Sequence, residues 1–202
     1  MLPKGFVYLD EAVEGVLWDA KYAGSDNFVG EPVDGYRVNR VVGTEELARA
    51  LREVRDRAAE KGLRLMLWDA YRPQRAVDHF IRFCAESETG RTRERHYPSL
   101  ERSQLIPLGY IAARSGHSRG STIDLTLADE EGALLDMGGI FDFMDERSHH
   151  GAAGVDGRAA ENRRLLRSLM LGCGFTDYKN EWWHYRLRDE PYPDTYFDFP
   201  IE

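Results

Sequence analysis

The sequence predicts an α+β fold in one domain spanning 1–202, with a central, largely antiparallel sheet flanked by helices. Three observations predict it. Helical and strand-like periodicities alternate in mixed order, without the strict βαβ repetition of a parallel sheet. The 202 residues suit one domain, and 42% hydrophobic with 11% aromatic residues supply a sizeable core. No internal repeat or low-complexity tract interrupts the chain.

The elements follow in order. Phe6-Val7-Tyr8-Leu9 and Val16-Leu17-Trp18 are short apolar pieces that read as strands. Asp19 to Tyr22 and Asp26-Asn27-Phe28 read as a loop or edge strand with free polar side chains. Thr44 is placed to cap a helix whose first turn carries Glu45 and Glu46. Leu47, Leu51, Val54 and Ala58 form its apolar stripe, and Gly62 ends it. Leu63 to Trp68 reads as a strand buried mostly on one side. Asp69-Ala70-Tyr71-Arg72-Pro73 leaves it, with Pro73 at the first position of a helix burying Val77, Phe80, Ile81 and Cys84.

Segment 86–104 is polar and arginine-rich, and reads as an exposed loop or short helix, either covering a site or simply a solvated excursion. In the run 122–127, Ile123, Leu125 and Leu127 face one way and Thr122, Asp124 and Thr126 the other. Asp124 therefore need not lie in the core. Leu165, Leu166, Leu169 and Met170 mark a last helix ended by Gly172 and Gly174, and Trp182 to Leu187 a final strand.

Composition excludes several classes. A net charge of -8 argues against nucleic acid or an anionic membrane as the main partner. No apolar run approaches the roughly 20 residues of a membrane helix. The opening residues carry no continuous apolar segment after Lys4, so no secretory signal is read there. Cys84 and Cys173 read as two buried thiols in a reducing cytoplasm. A homo-oligomer is left open.

Two short runs carry the chemistry: Ser115-Gly116-His117-Ser118-Arg119-Gly120-Ser121-Thr122-Ile123-Asp124, and Glu181-Trp182-Trp183-His184. His117, Asp124 and His184 offer two imidazoles and a carboxylate. Zinc accepts that set, and three protein ligands leave a fourth position for water, whose pKa falls to about 7. Glu181 lies three residues before His184, so strand alternation puts them on opposite faces. Both reach one site only if Glu181 sits at the strand mouth or in a bulge; it would then act as general base. Plainer readings compete. His117 could be a surface or capping residue, Asp124 could pair with Arg119, and the second run could be an aromatic edge strand. Two histidines and a carboxylate also make non-haem iron sites, but there the first histidine and the carboxylate commonly sit one residue apart, and here they are seven apart.

Together the runs match the pattern S-x-H-x-x-G-x-x-x-D followed by E-x-W-H, which resembles the zinc D,D-peptidases. Asp19-Ala20-Lys21-Tyr22, Asp26-Asn27-Phe28, Asp69-Ala70-Tyr71-Arg72-Pro73 and Phe141-Asp142-Phe143 through His150 resemble more narrowly the VanX-type D-alanyl-D-alanine dipeptidases, so the likeness covers most of the chain. The resemblance implies one zinc held by His117, Asp124 and His184, Glu181 as general base and Arg72 stabilising the oxyanion. It also implies Tyr22 and Asp142 receiving the substrate ammonium, and Ser115 its carboxylate. Without it, Arg72 reads as a salt bridge to Asp69, Tyr22 as a packing tyrosine and Asp142 as a loop cap. Gly116 and Thr122 depart from the pattern, where a serine-like and a small residue are expected. His149 and His150 are assigned no metal, His79 and His96 read as surface histidines, and of Trp182 and Trp183 one is expected in the core and the other on the pocket wall.

The implied activity is zinc-dependent hydrolysis of the D-alanyl-D-alanine dipeptide to two D-alanines. The alternatives are a D,D- or L,D-carboxypeptidase acting on longer wall peptides and a non-catalytic zinc-binding module.

Overall fold

The computed structural model describes residues 1–202. Five strands form the main sheet, in the order β2 (Leu17–Trp18), β4 (Arg64–Asp69), β5 (Thr122–Ala128), β7 (Glu181–Leu187) and β6 (Phe175–Tyr178). β2 pairs parallel with β4, and the other three pairings are antiparallel. β1 (Phe6–Tyr8) and β3 (Val42–Thr44) make a separate antiparallel pair. The helices are α1 (Leu9–Ala12), α2 (Glu45–Ala59), α3 (Gln74–Ala85), α4 (Arg93–His96), α5 (Arg102–Leu105) and α6 (Gly157–Gly172). This is the α+β arrangement expected. No helix is long and apolar enough to cross a membrane.

α2 forms for the local reasons its sequence suggests. Thr44 Oγ1 accepts from the Leu47 N–H at 3.2 Å, two acids sit in the first turn, and the buried stripe is Leu47, Ala48, Leu51, Val54 and Ala58. Each buried leucine contributes roughly 1.5–3 kcal/mol relative to exposure. α2 and α6 touch each other and pack on the sheet through β4, β5 and β6.

Several expectations are corrected. Pro73 stands just outside α3, one residue before its first turn, and Phe83, not Ile81, completes the helix's buried face. β5 is buried along its whole length, so Asp124 lies inside the molecule. A central strand has neighbours on both faces, and alternation alone does not reveal whether the polar face is covered. β7 lies between β5 and β6 and is not an edge. His96 is buried, its Nδ1 3.1 Å from the Asp142 carbonyl oxygen, and its own carbonyl accepts from the Met144 N–H. It ties the polar excursion to the loop carrying Asp142, and burial pushes its pKa down to about 4, keeping it neutral.

Candidate metal centre and dipeptide pocket

Two irregularities in the sheet assemble the site. Leu67 pairs with Leu125, but Asp69 pairs with Asp124, so Trp68 is an extra residue in β4. The bulge turns Asp69 onto the face that carries Asp124. Asp124 is in turn paired with His184, which sets Asp69, Asp124 and His184 side by side on three adjacent strands. The second irregularity lies between β6 and β7. Asp177 pairs with Tyr185, but Tyr178 pairs with Glu181. Glu181 thus opens β7 beside a register break, and its Oε2 comes within 3.4 Å of His184 Nδ1.

His117 arrives from a 3-10 turn, Gly116–Arg119, capped by Ser115 Oγ, which accepts from the His117 N–H at 3.3 Å. Gly120 ends the turn with φ +85°, and a Cβ there would meet the Phe6 ring at 2.4 Å, so only glycine permits this approach. The Arg72 N–H donates to the His117 carbonyl, zipping the turn to the segment leaving β4.

The protonation of His117 follows from its partners. Nδ1 lies 2.7 Å from the Ala70 carbonyl oxygen, an acceptor only, so Nδ1 carries the hydrogen. Burial pushes the ring's pKa down, so it is neutral. Nε2 therefore presents a bare lone pair. It faces His184 Nδ1 at 3.2 Å and Asp124 Oδ2 at 3.3 Å, while His184 Nδ1 lies 3.0 Å from Asp124 Oδ1. In the tautomer that leaves His184 Nδ1 bare as well, two lone pairs and a buried carboxylate converge on one point and suit a positive centre. Tetrahedral zinc with bonds of about 2.0–2.1 Å holds its ligand atoms about 3.3 Å apart, the spacing found here. The donor set therefore fits zinc. Arg119, the rival partner of Asp124, is engaged elsewhere, with both Glu190 carboxylate oxygens at 2.8 and 2.9 Å.

Around these ligands lies a cavity of ≈ 240 Å³, lined among others by Tyr22, Arg72, Ser115, Asp142, Glu181 and Arg114. Its size suits a ligand below drug size. Arg72 does form the salt bridge to Asp69, through Nε at 2.9 Å and Nη2 at 2.8 Å, and still reaches the site, with Nη2 3.5 Å from Asp124 Oδ2. Tyr22 and Phe80 lie under the guanidinium at 5.0 and 5.1 Å. Asp69 is itself held by the Tyr36 hydroxyl, which donates to Oδ1 at 2.6 Å.

Asp142 Oδ2 accepts from the Tyr22 hydroxyl at 2.8 Å. Asp142 is buried, makes no ion pair within the chain, and holds φ +55°, the one non-glycine residue with positive φ. Burial, with Asp124 adding repulsion, lifts its carboxyl well above the usual carboxylate range. A cation placed against it would reverse that. Burial and then Asp124 raise Glu181 likewise, against a pull from Arg72.

All eight residues singled out in the sequence thus meet in one place. Trp182 and Trp183 do not divide as expected: both are buried and neither lines this cavity. Tyr36 and Arg114 were assigned no role, and Asp69 only that of a salt-bridge partner for Arg72. Asp69 and Tyr36 are brought in by a bulge and a long-range hydrogen bond. Arg114, which makes no ion pair and stacks over Tyr196, could have been noticed from its place beside Ser115.

The two departures from the family pattern explain each other. A Cβ on Gly116 would stand 2.8 Å from Thr122 Oγ1, so the threonine fills the space a serine side chain would need. Gly116→Ser alone is expected to cost about 1–3 kcal/mol by overpacking, a Tm loss of ~2–4 °C per kcal/mol. Adding Thr122→Ala should restore the Tm, as thermal unfolding of the three variants will show.

The chain belongs to the D-Ala-D-Ala dipeptidase family of M15 peptidases, whose sequence model matches residues 3–202. It is 57% identical over 201 residues to a D-alanyl-D-alanine dipeptidase of Enterococcus faecalis, covering 99% of this chain and 100% of that one. It is also 57% identical to the Streptomyces coelicolor D-alanyl-D-alanine dipeptidase (97% and 98% covered) and 36% identical to that of Escherichia coli (84% and 77%). A solved vancomycin-resistance D,D-pentapeptidase in complex with Zn(II) is a distant likeness, with 17% identity, TM-score 0.44 and 74% and 75% of the two chains covered.

Proposed function

We propose that this chain is a zinc-dependent D-alanyl-D-alanine dipeptidase, a single catalytic domain over 1–202, releasing two D-alanines. The observation that carries the reading is the convergence of His117 Nε2, His184 Nδ1 and the Asp124 carboxylate within 3.0–3.3 Å, with Glu181 alongside. Zinc held there supplies Lewis acidity at the scissile carbonyl and lowers the pKa of the attacking water. Glu181 takes the proton that the water loses and returns it to the leaving amine nitrogen. Arg72, fixed by Asp69 and supported on Tyr22 and Phe80, donates to the oxygen on which negative charge develops.

The cavity lining, which holds an unpaired carboxylate in Asp142 and an unpaired guanidinium in Arg114, supports a free dipeptide. Asp142 and the Tyr22 hydroxyl receive the ammonium. Ser115, with the Arg114 guanidinium on the same wall, receives the carboxylate. A carboxypeptidase acting on longer peptides would need room beyond the amino end, where Tyr22 and Asp142 are both buried. A purely structural zinc site closes its fourth position and needs no base. Two buried free thiols support action in a reducing compartment such as the cytoplasm.

The direct test is metal analysis of the purified protein, with assay of free D-alanine released from D-Ala-D-Ala. One zinc per chain and release are expected; bound zinc without D-alanine would favour a binding module. N-acetyl-D-Ala-D-Ala lacks the ammonium and leaves Asp142 buried without a cation. Its kcat/KM is expected to fall by about 10²-fold, since losing one partner of a buried, hydrogen-bonded charge pair costs about 2–5 kcal/mol. Equal turnover of blocked and free peptides would reject the roles given to Tyr22 and Asp142.

A further inference from the structure

We infer that His96 is a positioning residue for substrate recognition: acting through Asp142, it sets how well the site separates a dipeptide with a free ammonium from one without. The inference rests on the ammonium-binding role given above to Tyr22 and Asp142.

His96 is the last residue of α4 and is 3% exposed. It does not line the dipeptide cavity, so its effect on substrate must run through another residue. That residue is Asp142. The imidazole Nδ1 lies 3.1 Å from the Asp142 carbonyl oxygen, which only accepts, so Nδ1 carries the ring hydrogen and donates it. Two residues on, the Met144 N–H donates to the His96 carbonyl at 2.7 Å. His96 thus holds the chain on both sides of Phe143, once by its ring and once by its main chain.

Asp142 needs such a hold. It lies outside every helix and strand, and its main chain enters no backbone hydrogen bond. Its φ of +55° falls in the left-handed region, which a residue bearing a side chain keeps only where its surroundings fix it. The carboxylate has one partner in the chain, the Tyr22 hydroxyl at 2.8 Å. That contact fixes the tip of the side chain and leaves the backbone beneath it to be fixed by His96.

The anchor is firm on its other side. Thr92 Oγ1 donates to the Phe28 carbonyl, and Arg95 pairs with Asp26 at 2.7 Å, which fastens α4 to the segment just after Tyr22. The Phe28 ring stands edge-on to Tyr22 at 6.2 Å. The two groups that meet the ammonium are therefore referenced to one another through α4. Burial also pushes the His96 pKa down to about 4. At neutral pH the ring adds no positive charge to compete with an ammonium beside Asp142.

The test compares kcat/KM for D-Ala-D-Ala with kcat/KM for N-acetyl-D-Ala-D-Ala in the purified protein. Their ratio reads recognition of the ammonium and cancels any damage common to both substrates, such as a disturbed metal centre. His96→Asn keeps an amide N–H in the place of Nδ1. His96→Gln carries its amide one bond further out, and His96→Leu puts a methyl group there. His96→Leu and His96→Gln should lower the ratio about tenfold, since displacing a recognising group by ~1 Å costs much of its effect. The loss should come chiefly from a higher KM for the free dipeptide, and His96→Asn should keep the ratio of the unmodified chain. An unchanged ratio in His96→Leu overturns the proposal. So does an equal loss in His96→Asn and His96→Gln, which would leave His96 a packing residue only. If His96→Leu does not fold, the Asn and Gln variants decide alone. An unmodified chain that fails to separate the two peptides would instead reject the roles of Tyr22 and Asp142, and this inference with them.

Discussion

Glu181→Gln is expected to lower kcat for D-Ala-D-Ala by about 10²–10⁴-fold, with zinc content per chain unchanged. Glutamine keeps the size and one carbonyl oxygen of the side chain but cannot take a proton. The three metal ligands are untouched, so loss of metal cannot explain the loss of rate. The geometry asks for this result: Glu181 sits in the same cavity as the ligands, within 3.4 Å of one of them. D-Alanine release by the variant within a few-fold of the unmodified chain would remove Glu181 from the proton path, whatever its position.

Arg72→Met should lower kcat by about 10²–10³-fold, the effect of removing one fixed donor to a developing oxyanion, with a much smaller change in KM. The interaction is made chiefly when charge appears on the oxygen, so it weighs on the transition state and little on the bound substrate. Asp69 gives a sharper form of the prediction. It does not line the cavity, yet it holds Arg72 through two contacts at 2.8 and 2.9 Å, stands 3.4 Å from His117 Nδ1 and is itself held by Tyr36. Asp69→Asn should therefore reduce kcat more than KM. The double variant Arg72→Met with Asp69→Asn should be little worse than Arg72→Met alone, because the second change disturbs a group already gone. Losses that multiply would show that Asp69 acts by some route other than Arg72. Tm measurements guard against a trivial cause, since breaking a buried pair from one side costs about 3–5 kcal/mol.

Local rules made much of this protein readable. The stripe of α2 and its threonine cap are written in residues three and four apart, and the β5 alternation shows which side chains share a face. The spacing of His117, Asp124, Glu181 and His184 even required a strand irregularity, and the β6–β7 register break stands beside Glu181. Burial was harder to read. The alternation of β5 left open whether Asp124 lies in the core, and His96 read as a surface histidine because polar residues usually are, whereas both are buried. Nothing adjacent in sequence announces such cover. The two tryptophans of β7 show the same limit: both are enclosed, and Trp182 borders a cavity apart from the catalytic one.

Residue types and their order along the chain were enough to recognise the family, and through that resemblance to nominate a metal-binding set and a base, because coordination chemistry restricts which side chains can serve and local periodicity restricts where they point. Tertiary structure alone decided that an extra residue at Trp68 swings Asp69 beneath Arg72 and that Tyr36 secures it. Those relations join segments tens of residues apart. Their energies depend on distance and on exclusion of water, and neither is encoded in any short stretch of sequence.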